Sequence, residues 1–148
     1  LNSKMQEISA IVGNYNLQNF KKTLKKRMRV VNKFKNFFAN FENKKIFSLM
    51  KVDPNVNCTY LYFPILVHKK INKFKKHLQK SNISFRKYYT AVHSLDFYKK
   101  EKKITLNLDL KFTNKIKNKV IALPIFSDMT IKEINYIFGK INQFYKVL

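Results

Sequence analysis

Arg86, Tyr88, Tyr89 and His93 set one of the chain's 3 arginines beside two phenols and an imidazole in a single short stretch. A guanidinium fork can take a phosphate by two oxygens at once, and Tyr and His can hydrogen-bond sugar hydroxyls or a nucleotide. The stretch falls where a strand-like pattern runs out into a loop, a common place for binding groups. A plainer reading is a Tyr pair packed at a sheet edge beside a solvated Arg, and the residues alone leave both open. Asn2 and Lys4 form a second candidate. An amide and an ammonium at the start of a helix suit an anion, because free N–H groups point outward there. The rest of the inventory is poor in chemistry. His68, His77 and His93 share no metal-ligand spacing, and Cys58 stands ten residues before His68. Two glycines cannot build a phosphate loop. Glu7, Asp96, Glu101 and Glu133 show no pairing that suggests an acid–base dyad.

These groups need elements to hold them. Leu17, Phe20, Leu24, Met28, Val31, Phe34, Phe38 and Phe41 step by three or four, which predicts a long helix with core or dimer packing along its Phe-rich stripe. Gly13 and Asn14 are expected to divide it, leaving a short helix over 4–12 and a long one over 17–41. Asp53-Pro54-Asn55 is a turn signal. Thr59–Val67 reads as a buried strand, and Pro64 inside it points to an edge strand or a bulge. Lys69–Ser81 returns to helical spacing, with Asn82 as a left-handed cap. Ile83–Tyr88 alternates as a second strand. Strand, helix and strand in about thirty residues indicate an α/β or α+β layer. Asp96–Lys103 reads as charged loop, Ile104–Leu110 alternates as a strand, and Thr113–Lys119 reads as a short helix. Val120–Leu123 is a short strand before Pro124. The last helix opens with Thr130-Ile131-Lys132-Glu133, a capping box, and carries the stripe Ile134, Ile137, Phe138, Ile141, Phe144, Tyr145 and Leu148.

The chain's 148 residues fit one ordinary domain with a real core, and 45% hydrophobic content argues against disorder. No apolar run is long enough for a membrane span, and the first residues lack the pattern of a signal peptide. The single cysteine excludes an internal disulfide and fits a reducing cytoplasm, with core packing as its expected role. The net charge of +23 attracts nucleic acid or anionic surfaces in principle. It comes from 28 Lys against 3 Arg, however, with many Asn, Ile, Phe and Tyr. That joint bias fits an AT-rich coding sequence better than selected phosphate recognition, which favours the Arg fork. Codon bias predicts lysines on every face, whereas a nucleic-acid binder gathers them into one stripe.

Three stretches in order, Asn2-Ser3-Lys4-Met5-Gln6-Glu7 through Ala10, Arg86-Lys87-Tyr88-Tyr89 through His93, and Leu123-Pro124 before the capped helix, resemble the DegT/DnrJ/EryC1/StrS family of pyridoxal-phosphate-dependent sugar aminotransferases. They look like its C-terminal portion. Asn2, Met5, Glu7 and Ala10 match the first family motif, while Ser3 replaces an aromatic residue and Lys4 an Arg. Thr90 stands where the second motif has Pro. The resemblance implies the small C-terminal domain of fold-type I transferases, α/β (α+β), with a long N-terminal helix on a small, mostly antiparallel sheet and flanking helices. It implies a helical region over 1–45 and the small domain over 46–148, with the large cofactor-binding domain absent. Asn2 and Lys4 would then serve the phosphate of pyridoxal 5'-phosphate in a neighbouring subunit, and Arg86, Tyr88, Tyr89 and His93 would border the substrate. The family moves an amino group from a donor such as glutamate to a nucleotide-linked keto-sugar. None of the 28 lysines stands in the family's Schiff-base context, so the chain alone is expected to be inactive and to need the missing large domain or a partner chain. Homodimerisation, a nucleotide-sugar substrate and a cytoplasmic place go with that reading. Its rivals are a small basic binding protein for nucleic acid or anionic surfaces, and a remnant without function.

Overall fold

The structure is a computed structural model that describes residues 4–42, 44–87, 90–100 and 110–146. Helix α1 runs unbroken over Glu7–Glu42, about 54 Å at 1.5 Å per residue. The expected division at Gly13 and Asn14 does not occur. Gly13 lacks a side chain but sits in open space, so its only effect is a propensity cost of about 1 kcal/mol. One such cost is small against a helix whose second half is anchored by packing.

Four short strands follow in one sheet: β1 (Phe47–Leu49), β2 (Phe63–Val67), β3 (Arg86–Lys87) and β4 (Val120–Leu123), in spatial order β1-β2-β4-β3 with every neighbour antiparallel. Because β4 opposes both β2 and β3, those two run parallel. Helix α2 (Ile71–Lys80) connects them as the crossover of a split β-α-β unit. Strand β2 is interior rather than an edge. Pro64 is tolerated because β1 pairs only as far as Ile65, so at Pro64 the strand has β4 alone beside it.

The second predicted strand shrinks from Ile83–Tyr88 to Arg86–Lys87, with Tyr88 outside the described residues. Its first part is spent on ending α2. Asn82 adopts φ 52°, the Asn82 N–H bonds to the Gln79 C=O (3.0 Å), and the Ile83 N–H to the Leu78 C=O (2.9 Å). That is a complete Schellman closure, with Ile83 and Leu78 both buried. Extending the β3–β4 register backward would also set Ser84 opposite Pro124, which has no N–H to give.

A 3-10 turn at Val92–Ser94 leads into α3 (Asp96–Lys100), where a loop was expected. Asp96 in its first turn complements the free N–H groups of the helix start. The alternating stretch 104–109 lies outside the described residues. Helix α4 (Lys111–Ile116) precedes β4, and α5 (Ile131–Lys146) closes the fold. The predicted capping box is present: the Glu133 N–H bonds to the Thr130 Oγ1 (3.2 Å), and the Thr130 N–H and hydroxyl each donate to the Glu133 carboxylate (both 2.7 Å). Those bonds hold the Glu133 carboxyl below its ordinary range, the hydroxyl first and the backbone second.

One core lies between the sheet and helices α1, α2 and α5. Phe47, Phe63, Ile65, Val67, Ile121 and Leu123 face Val30, Phe34 and Phe38 of α1, Phe74 and Leu78 of α2, and Ile134, Ile137 and Ile141 of α5. Aromatic rings knit the layers. Phe37 stacks on Phe138 at 4.0 Å, and Phe38 meets Phe47 edge-on at 5.0 Å. Tyr145 places its ring in this core, and burial pushes its phenol well above the usual range; the hydroxyl donates to the Lys69 C=O (3.2 Å). Cys58 precedes β2 in a loop and is partly buried against the same core. No helix among the described residues is long and apolar enough to cross a membrane.

Candidate functional site

Among the described residues strand β3 is the outermost strand beside β4, and it carries Arg86 on the face opposite the helices. Cross-strand register puts Arg86 beside Ala122, which in turn pairs with Pro64 on its other side. The bend before β2 brings Tyr62 beneath the guanidinium, with the Arg86 Cζ 5.1 Å from the ring centroid. A planar cation over an aromatic face gains electrostatic attraction while keeping its N–H edge free. Tyr62, Ser84, Phe85, Arg86, Ala122 and Ile125 line a cleft of about 330 Å³ here. A second cleft of about 430 Å³ shares Ser84 and Pro124 with it and continues along α5 past Met129 and Tyr136. The Tyr136 hydroxyl donates to the Ser81 C=O (3.0 Å), bracing that wall.

His93 does not join this cleft. It stands on the 3-10 turn with its Nε2 3.0 Å from the Asn114 Oδ1 of α4. The same turn is closed by the Ser94 hydroxyl, which donates to the Ala91 C=O (2.6 Å). Tyr88, Tyr89 and Asn2 lie outside the described residues. Lys4 is described and exposed, ahead of α1. Along the helix axis the first residue of α1, Glu7, stands about 28 Å from Lys26, at 1.5 Å per residue. Lys26 is itself fixed to the body by an ion pair with Asp128 (2.5 Å). Lys4 and Arg86, described members of the two groups read from the sequence, therefore stand on separate elements, one ahead of α1 and one on β3. Sequence reasoning missed Tyr62, which was assigned to a buried strand. Tyr62 lies in the bend just ahead of β2, and its pairing with Arg86 is made across the sheet, so no local sequence pattern announces it.

Among the described residues no group of three His, Cys, Asp or Glu side chains could hold a metal. His68 bonds the Ser48 hydroxyl (2.7 Å) and His77 the Lys140 carbonyl (2.9 Å), so both have structural partners. Exposed lysines occur on α1, α2, α4 and α5 and in the turns between.

The sequence profile of the DegT/DnrJ/EryC1/StrS aminotransferase family matches residues 1–142. The chain belongs to that family. A sugar-nucleotide relative, dTDP-4-amino-4,6-dideoxy-D-glucose transaminase of Escherichia coli, is 30% identical over 135 residues. That match takes in 87% of this chain but 35% of the relative. Among solved structures, a DegT DnrJ EryC1 StrS aminotransferase from Brucella abortus superposes with a TM-score of 0.82 at 18% identity, over 97% of this chain and 37% of that one. NtdA from Bacillus subtilis, solved with bound cofactor PMP, gives a TM-score of 0.77 at 20% identity, over 99% and 34%. At such identities these structures establish the fold. This family member thus has the expected α+β architecture and spans about a third of the length of the relatives it matches.

Proposed function

We propose that this chain is the C-terminal portion of a pyridoxal-phosphate-dependent sugar aminotransferase and acts only together with the large domain that makes up the rest of the relatives' length. The observation that carries this is the family match over residues 1–142, set against coverage of 35% of the Escherichia coli transaminase. The reaction would move an amino group from a donor such as glutamate to a nucleotide-linked keto-sugar. It would serve the making of cell-surface polysaccharide in the cytoplasm, in a homodimer.

The chemistry of the described residues fits a part of such a site. Lys4 brings a positive charge suited to the cofactor's phosphate, although it lacks the fork that an Arg would offer. Asn2 would add an amide beside it. Arg86, held over Tyr62, presents N–H groups toward the cleft and suits a sugar-nucleotide phosphate. Tyr88, Tyr89 and His93 would border the sugar. The cofactor, when bound, supplies the electron sink for transamination. The distance between Lys4 and the body that holds Arg86 supports a site shared by two subunits, each bringing one end.

The test is to express this chain alone and together with the polypeptide encoded just upstream of it. Alone, it should show no Schiff-base absorbance with pyridoxal 5'-phosphate and no turnover of a nucleotide-linked keto-sugar. With the upstream region, turnover should appear and fall at least tenfold for Arg86→Ala. Turnover by the chain alone would refute the reading. A second reading, a remnant that has lost its large domain, is favoured by Leu17 and Phe20, which stand 75% and 49% exposed on α1. An upstream region that encodes no such domain would decide for it.

A further inference from the structure

A separate cavity of about 370 Å³ opens between α1 and the loop after β1, on the other side of β2 from the Arg86 cleft. Lys35 and Asn36 of α1, Lys51 and Met50 of the loop, Pro64 and Tyr60 line it. Tyr60 is unusual in three ways. Its backbone is left-handed (φ 47°), a conformation that a bulky side chain rarely adopts. Its side chain is 94% buried, from a residual exposure of 6%. Its hydroxyl is buried without a hydrogen-bond partner. Native structures rarely leave such a group unmet, and residues held in strained backbone conformations gather at binding sites. The Lys35 ammonium stands over the Tyr60 ring at 5.0 Å from its centroid, so a cation is already fixed at this wall. Neither Lys35 nor Lys51 has a carboxylate partner among the described residues.

We propose that this cavity binds a small phosphate monoester. Two ammonium groups match a phosphate monoester's charge of about −1.5 to −2 near neutral pH. Asn36 offers a further amide donor, and a small turn of the Tyr60 ring on binding brings its sealed, unpaired hydroxyl to the anion as a donor. Met50 and Pro64 give an apolar surface for the body of the ligand. None of Lys4, Arg86 or His93 lines this cavity, so the site is independent of the aminotransferase reading and stands or falls without it.

Phenyl phosphate is the probe, titrated calorimetrically into the whole chain at an ionic strength of about 0.15 M, where exposed charges are screened beyond about 8 Å. Saturable one-to-one binding, tighter than that of inorganic phosphate, is expected. Lys35→Met with Lys51→Met should weaken it at least tenfold. Tyr60→Phe should weaken it several-fold while leaving the fold, by circular dichroism, as stable as before or more so. Lys21→Met with Lys22→Met, which removes the same charge from an exposed face of α1, should change it less than twofold. Equal losses in the two lysine pairs would reduce the binding to bulk charge and overturn the site. So would unchanged affinity in Tyr60→Phe, or no saturable binding at all.

Discussion

The two halves of α1 differ in a way that composition hides. From Val30 to Phe41 its apolar residues are buried or half-buried in the aromatic core. From Met5 to Phe20 they are equally frequent and stand exposed, with Ile8 at 75%. The apolar faces also point differently. At 100° per residue, Ile8, Ile11, Val12 and Tyr15 centre roughly 90° around the helix from the face that Val30, Phe34 and Phe38 give to the core. The first half is therefore no mere overhang of the buried stripe. It carries its own apolar face, and this chain alone offers nothing to cover it among the described residues. Exposed contiguous apolar surface of this kind marks an interaction site or an aggregation liability. In the function proposed above, the rest of an aminotransferase would cover it.

Phe34→Ala strikes the buried half and should show the largest effect. It removes a fully buried ring from contacts with Phe63 and Phe138 and should cost about 3–5 kcal/mol in urea unfolding. A loss below about 1 kcal/mol would mean that α1 is not part of the core. Asn82→Gly should act in the opposite direction. It relieves a left-handed backbone at the end of α2 and should stabilise by up to about 1 kcal/mol, read in the same assay. Lys26→Ala removes an ion pair with both partners largely exposed, and should cost at most about 0.5 kcal/mol. Leu17→Ser in the exposed half should change the isolated chain by less than about 0.5 kcal/mol, although the same change in the buried half would unfold it.

The cap of α5 gives a test of a different kind. Glu133 titrates below its ordinary range in the folded chain because Thr130 donates to its carboxylate. A depressed carboxyl contributes stability above its unfolded pKa and loses it as pH falls through the folded value. Thr130→Ala should therefore lower the unfolding midpoint at neutral pH, and its difference from the parent should shrink as pH falls through the carboxylate range. A difference that is constant with pH would show that the hydroxyl acts without Glu133.

The core was legible because its signals are local. The period of three to four in α1 and α5, the Thr130–Glu133 box and the Asn82 cap each need a few neighbouring residues, and each stands where the sequence placed it. What escaped were decisions made across the sheet. Pro64 suggested an edge strand, yet β2 is interior, and the proline is tolerated because β1 stops at Ile65 and does not reach it. Ile83–Phe85 alternated like a strand, yet they serve the end of α2 and meet Pro124. Gly13 suggested a break, yet α1 runs through it, continuous with a second half that is anchored in the core. At the candidate site the Arg86 stretch was found from residue types and family likeness. Its Tyr62 support was not, because a cation–π partner twenty-four residues away leaves no local pattern.

Hydrogen exchange across α1 tests the central claim most directly. In the isolated chain the amides of 8–20 should exchange at least a hundredfold faster than those of 30–40, a gap of about 2.7 kcal/mol in local opening. Adding the upstream part of the aminotransferase should close most of that gap. Equal protection of both halves in the isolated chain, or no gain for 8–20 when the remainder is present, would contradict the account.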